Sequence, residues 1–211
     1  MARNGAAPRR TLLGRISRLL SALAAPLGAL ALVTAVILPI NQLTQPGGEV
    51  PVRLKNPDAS EWLGVPGLAP ASWLSVDQTT VTYHVFHLPG WLRALTEAAG
   101  SLTFLTLGLA LLLIWRLLDA VGRGRPFDPR NPRRLRYLAL LAAVGGLGSQ
   151  LIDKISSNAV LRHVGMTGVD TPVGPPDRVD VVPVLLAVVL LAVADAFRRG
   201  RELSEDVEGL V

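Results

Sequence analysis

Four long apolar stretches punctuate the chain, and the segments between them are rich in arginine, glycine and proline. Residues 19 to 48, beginning "LLSALAAPLGALALVTAVILPINQL", carry no charged side chain. The part from Leu19 to Ile40 would run about 33 Å as a helix, enough for a hydrocarbon core of ~30 Å. "AAGSLTFLTLGLALLLIW", 98–115, is a second uncharged run. "YLALLAAVGGLGSQLI", 137–152, is shorter, and Leu135 and the residues after Ile152 extend it. "VVPVLLAVVLLAVADAF", 181–197, holds Asp195 near one end, where a carboxylate reaches the interface more cheaply than at the midplane. The pattern predicts spans at 19–40, 98–118, 135–155 and 179–197. A cleaved signal peptide is the competing reading of the first, but its apolar part exceeds the usual ~7 to 15 residues and no A-x-A site ends it. It is expected to stay as a span.

Between the first two spans, 41–97 forms the largest polar segment. "EVPVRLK" and "TVTYHVF" alternate apolar and polar residues with the period of strands and flank a Gly, Pro and Trp-rich stretch, which predicts a β-hairpin. Trp62, Trp73 and Trp91 fit an interfacial aromatic belt, or a ligand surface. The loop at 156–178 is Gly and Pro-rich towards its end and is expected to continue the third helix for a turn or two.

Composition sharpens this. Hydrophobic residues make up 50% of the chain and aromatics 5%, with mean hydropathy +0.41, the balance of a bilayer-embedded protein. There is no cysteine, which excludes disulfides and thiolate chemistry. The net charge of +5 is almost wholly arginine, Lys55 and Lys154 being the only lysines. Five arginines precede the first span, six lie between Arg123 and Arg136, and three follow the fourth span. The other loops, much longer, share six basic residues. By the positive-inside rule the N-terminus (1–18), the hinge (119–134) and the tail (198–211) are cytoplasmic. The expected location is the plasma membrane, multi-pass, with both termini inside.

The expected fold class is therefore all-α: a membrane protein of four transmembrane helices with a small extracytoplasmic β-containing loop. Within the hinge, Asn131-Pro132 reads as an N-cap followed by proline, and Asp128-Pro129 offers a second such start. Its charges fit attraction to anionic lipid at the cytoplasmic face. A docking surface for a cytoplasmic partner is the alternative, formed by Phe127, Arg130, Arg133, Arg134 and Arg136 with Leu203 and Val207 of the amphipathic tail. Direct contact with nucleic acid is not expected, since aromatic interleaving stops at Phe127 and Tyr137 and no nucleic-acid fold adjoins.

Charged side chains in or beside the spans are expected to form interfacial ion pairs: Arg116 with Asp119, and Asp195 with Arg198 or Arg199. In "AAVGGLGS", Ala142 and Gly146, and Gly145 and Ser149, stand four apart, a spacing that permits close helix packing within the chain or in a homo-oligomer. Ser149 and Gln150 can hydrogen-bond across helices. Chemistry is sparse. His84 and His87 point to opposite faces of a strand and His163 stands apart, a poor metal set. No nucleophile elbow, phosphate-cradling glycine loop or H-E-x-x-H occurs, so the chain is expected to be non-enzymatic and without cofactor.

The hinge "GRGRPFDPRNPRRLRYLALLAAVGG" and the tail "LLAVADAFRRGRELSEDVEGLV" resemble the two best-marked segments of a bacterial membrane family, the domain of unknown function 2975. A "PF" followed by an R-L-R helix start corresponds to Pro126, Phe127, Arg134, Leu135 and Arg136. The F-R-x-G-x-x-L end of the last span corresponds to Phe197, Arg198, Gly200 and Leu203. The resemblance runs over 98–211, and "EDVEGLV" is a looser version of the family's ending. It implies a small four-helix plasma-membrane protein of unassigned biochemical function, often encoded beside a helix-turn-helix regulator. A non-enzymatic interaction or regulatory role is the first reading; a small transporter or channel component is the alternative.

Overall fold

The computed structural model describes residues 12–45, 48–56, 79–125, 128–165 and 179–208. Phe127, Trp62, Trp73 and most of the 156–178 loop lie outside them. The elements run α1 (Leu12–Thr44), β1 (Val50–Asn56), β2 (Thr79–Val85), α2 (Gly90–Gly122), α3 (Asn131–His163) and α4 (Val182–Glu208). Each of the four helices overruns the apolar stretch that announced it. The clearest case is α2, which begins eight residues before the expected start at 98: Leu92 and Arg93 donate their backbone N–H groups to the Pro89 carbonyl at 3.0 and 3.2 Å. Burial of Leu92 then rewards the extra turns.

Helix ends follow their local chemistry. After α2, the Gly124 N–H reaches the Val121 carbonyl (2.9 Å) and the Arg125 N–H reaches the Ala120 carbonyl (3.0 Å), a Schellman cap that needs the positive φ of 75° at Gly124. Gly165, also at a positive φ of 74°, follows α3 and its N–H reaches the Arg162 carbonyl (3.3 Å), with Arg162 and His163 in the last turn facing the negative end of the helix dipole. At the start of α3 the second of the two anticipated caps operates. The Asp128 carboxylate accepts from the Arg130 N–H at 2.8 Å, and the Arg130 carbonyl accepts the first helical bond, from the Arg134 N–H. Asn131 is therefore inside the helix, fully buried.

Three helical segments, Leu19–Thr44, Gly90–Gly122 and Asn131–His163, are long and apolar enough to cross a membrane. This is a membrane protein by that measure. The fourth span is not matched in the same way: the first eighteen residues of α4 already include Asp195, Arg198 and Arg199. What α4 does share is lipid-type packing. Leu185, Val188 and Val189 are 60, 59 and 56% exposed, whereas the small Ala187 and Ala194 are buried. Along α1, Ala24, Gly28, Ala31 and Ala35 are likewise buried while Leu23, Leu27 and Leu30 are exposed. Small residues inside and large ones outside suits helices surrounded by lipid tails.

The chain divides into two units. One comprises Met1–Val33, Phe104–Val144 and Val182–Val211. Its apolar cluster joins Ala110, Leu113 and Leu117 of α2, Leu135 and Leu138 of α3, and Leu190, Ala194 and Phe197 of α4. There α1 and α2 approach through glycines: a Cβ on Gly108 would lie 2.7 Å from Leu32 and 2.9 Å from the Gly28 carbonyl oxygen. The other unit comprises Thr34–Thr103 and Gly145–Val181. Its strands pair antiparallel with Val50 opposite Val85 and Val52 opposite Tyr83, as the alternation predicted. Val50 and Val52 turn one face of β1 onto Leu88 and Leu92 at the start of α2 and Val160 and Leu161 at the end of α3.

Candidate functional site

The arginine-rich end of the first unit is where charge and motif meet. Arg134 is half-buried and points into the fold: its Nη1 donates to the Arg116 carbonyl and to Asn131 Oδ1, both at 3.0 Å, tying the start of α3 to α2. It is thus a structural tie, whereas Arg130, Arg133 and Arg136 are exposed. Arg133 lies 5.6 Å from the centroid of the Tyr137 ring and its Nε donates to the Tyr137 hydroxyl at 3.0 Å, a cation–π pair one helical turn long. Leu203 and Val207 sit one turn apart on α4.

Of the anticipated ion pairs, those of Asp195 form. Arg198 Nη2 lies 2.8 Å and Arg199 Nη2 3.0 Å from its carboxylate, and Arg198 Nη1 also reaches Glu202 at 3.5 Å. Hydrogen bonding to Asp195, then the charges of Asp195 and Glu202, push the Arg198 guanidinium above its ordinary range. The pair Arg116–Asp119 does not form. Asp119 is instead gripped by Arg123, one turn on, with Nη2 at 2.8 Å and Nε at 3.1 Å. Arg116 is left exposed beside a groove of about 400 Å³ whose walls are Leu109, Leu112, Leu113, Leu140 and Leu141, with Tyr137 at the same end.

In the second unit a buried arginine, which no motif or spacing singles out, holds the end of α1. Arg93 is 7% exposed, and its Nη2 donates to the carbonyls of Gln42 and, at 2.5 Å, Gln45, the last turn of α1 and the residue after it. Its Nε is buried without a partner among the described residues. Gln42 Nε2 adds a bond to the Glu49 carbonyl at 2.7 Å, so the α1 end and the approach to β1 are held by two side chains. Only the reach of Arg93 back across about fifty residues makes it visible, and neither spacing nor charge count encodes that.

The small-residue stretch of α3 is partly covered. Gly145 is buried and Ala142, Gly146 and Ser149 are half-buried, but Ser149 Oγ donates to the Gly146 carbonyl of its own helix at 3.1 Å. Gln150 does reach beyond it: Nε2 donates to the Asp180 carbonyl (3.1 Å) and Oε1 accepts from the Asp180 N–H (2.7 Å). Gly148 is the position in contact, a Cβ there meeting Leu102 Cδ2 at 3.0 Å. The histidines stay apart in role. His84 pairs with the Glu49 carboxylate, His87 is an exposed left-handed residue at φ 61°, and His163 lines a cleft of about 590 Å³ with Trp91, Asn158 and Arg162. Among the described residues no three His, Cys, Asp or Glu gather as a metal site would require.

A family model described as protein of unknown function (DUF2975) matches residues 66–210. The chain belongs to the DUF2975 family. The match takes in β2, α2, α3 and α4, and so the whole apolar cluster of the first unit. Leu135 at the start of α3 and Phe197 of α4, far apart in sequence, pack in that one cluster. Neither a curated protein nor a solved structure matches the chain.

Proposed function

We propose that this DUF2975 protein is a non-enzymatic regulatory protein of the plasma membrane, with four spans and both termini cytoplasmic, that presents its C-terminal helix to a cytoplasmic protein. The observation that carries the reading is the continuity of α4. It runs unbroken to Glu208, nine residues past Arg199 and so about 13 Å beyond it at ~1.5 Å per residue. The salt bridges of Asp195, Arg198, Arg199 and Glu202 stiffen the point where the apolar part gives way to the tail. Val181–Ala194 supplies the apolar part of the fourth span, and the basic residues that follow reach the headgroups by snorkelling. Exposed Arg130 and Arg136 add charge that suits an acidic partner.

The test removes residues 203–211 and compares proteins crosslinked to the truncated and intact chains in native membranes. Insertion is expected to survive and a cytoplasmic partner to be lost; identical recovery from both would remove the tail from the proposal. Orientation is read with a membrane-impermeant thiol reagent on intact cells. Asn158→Cys should label and Ser204→Cys should not. Asn158 is exposed and suits the purpose, whereas its neighbour Ser157 is 3% exposed.

A further inference from the structure

Arg116 poses a problem of charge. It lies within the apolar helix α2, six residues before that helix ends, its side chain is exposed, and its guanidinium has no partner among the described residues. The carboxylate nearest in sequence, Asp119, is taken by Arg123 through two nitrogens. A guanidinium on the lipid-facing surface of a helix is costly unless something negative meets it. At the edge of a bilayer the abundant anion is lipid phosphate, which a guanidinium grips through two N–H groups at once.

The surroundings of Arg116 match the rest of such a molecule. One turn back along α2, Leu112 and Leu113 wall the groove, and Leu140 and Leu141 of α3 face them. Tyr137 stands one turn before those leucines on α3, so in this antiparallel pair it shares the Arg116 end. Arg133 is held to it by the ring contact and the Nε–hydroxyl bond, which leaves its two terminal nitrogens without a described partner. The groove is thus apolar along its length and carries the Arg116 guanidinium at one end, with that of Arg133 held against the Tyr137 that lines the same end.

We propose that this groove binds a single anionic phospholipid, one acyl chain lying between Leu112, Leu113, Leu140 and Leu141 and its phosphate held by Arg116, with Arg133 supplying the second positive charge. Charge complementarity selects the occupant. An acidic peptide would satisfy the arginines but has no reason to fill a leucine-walled groove on helices immersed in lipid, and a zwitterionic lipid would bring, beside its phosphate, a cationic headgroup that the second guanidinium repels. The inference rests only on the placement of α2 and α3 in the membrane. It stands whether or not the tail docks a protein, so a failed tail-deletion experiment leaves it intact.

Native mass spectrometry of the full chain in neutral detergent tests it, using dioleoyl phosphatidylglycerol and dioleoyl phosphatidylcholine as probes with the same chains and different headgroup charge. The expected result is one phosphatidylglycerol retained in preference to phosphatidylcholine, with Arg116→Gln lowering retention about fivefold. Arg136→Gln removes an exposed arginine of α3 that does not line the groove, and retention should change by less than about twofold. Leu140→Trp keeps both arginines, fills the groove and should also release the lipid. Equal retention of the two lipids by the unmodified chain overturns the proposal without any variant. So does an equal loss in Arg116→Gln and Arg136→Gln, which would mean diffuse attraction, or a polypeptide held in place of the lipid.

Discussion

The two units of this protein differ in the mixture of residues they bury: beside Leu135 and Leu138, the unit that holds α4 buries the small Ala24, Gly28, Ala31 and Ala194. Where the sheet lies, Val50, Leu92 and Val160 are 0, 0 and 1% exposed, a core of large side chains like that of a water-soluble domain. In the unit that holds α4, Ala194 is 1% exposed while Leu185 and Val188 face outward. Charge differs in degree: Arg93 is buried on two backbone carbonyls and Arg134, in the other unit, is half-buried on one, whereas Arg123, Arg198 and Arg199 are exposed and paired with carboxylates at the surface. Two solvents would select such a difference. Water drives large apolar side chains together; lipid tails offer no such drive, and helices there associate by close fit.

The largest effect that would break this contrast is expected at Arg93. Arg93→Ala removes charge-assisted bonds to two carbonyls and should cost about 3 kcal/mol, read as a lower midpoint of thermal unfolding in detergent. An unchanged midpoint would mean that the buried arginine is incidental. Next comes close fit in the other unit. Gly108→Leu must displace Leu32 and the Gly28 backbone and should cost about 2 kcal/mol, while Gly148→Ala meets only the mobile end of Leu102 and should cost under about 0.5 kcal/mol. Val52→Ala and Leu185→Ala then compare the solvents directly: about 1.5 kcal/mol is expected for the buried valine and under about 0.5 kcal/mol for the exposed leucine. Comparable losses would erase the distinction. The smallest effect belongs to Asp119→Asn, which breaks a surface pair and should shift stability by under about 1 kcal/mol, less at high salt.

Hydropathy and alternation made the helices and both strands legible, because each depends on residues near in sequence. Helix ends were less so: the early start of α2 depends on Leu92 finding Val160 and Val50 across the fold. The charge pairs show the limit of spacing. Three and four residues apart are both permitted on a helix, and Asp119 turned to Arg123 rather than Arg116 although sequence alone offered either. A close glycine approach lies between Gly28 and Gly108, while in the small-residue stretch of α3 a Cβ on Gly148 would meet Leu102. A glycine reports that a close approach is allowed; which helix arrives is decided elsewhere.

Gln150 has a bearing on how the protein is made. Its amide acts as a spare peptide unit, occupying both the N–H and the C=O of Asp180, thirty residues later and just ahead of α4. A ribosome releases the chain in order, so α3 reaches the translocon with that amide lacking its distant partner, and the pairing is completed only when residue 180 has emerged. With α4 as the fourth span proposed above, the expected route of biogenesis is a hairpin: α3 lingers at the lateral gate until α4 follows, and the two enter the bilayer together. A nascent chain stalled before residue 180 should keep α3 within crosslinking reach of the translocon, and the completed chain should not.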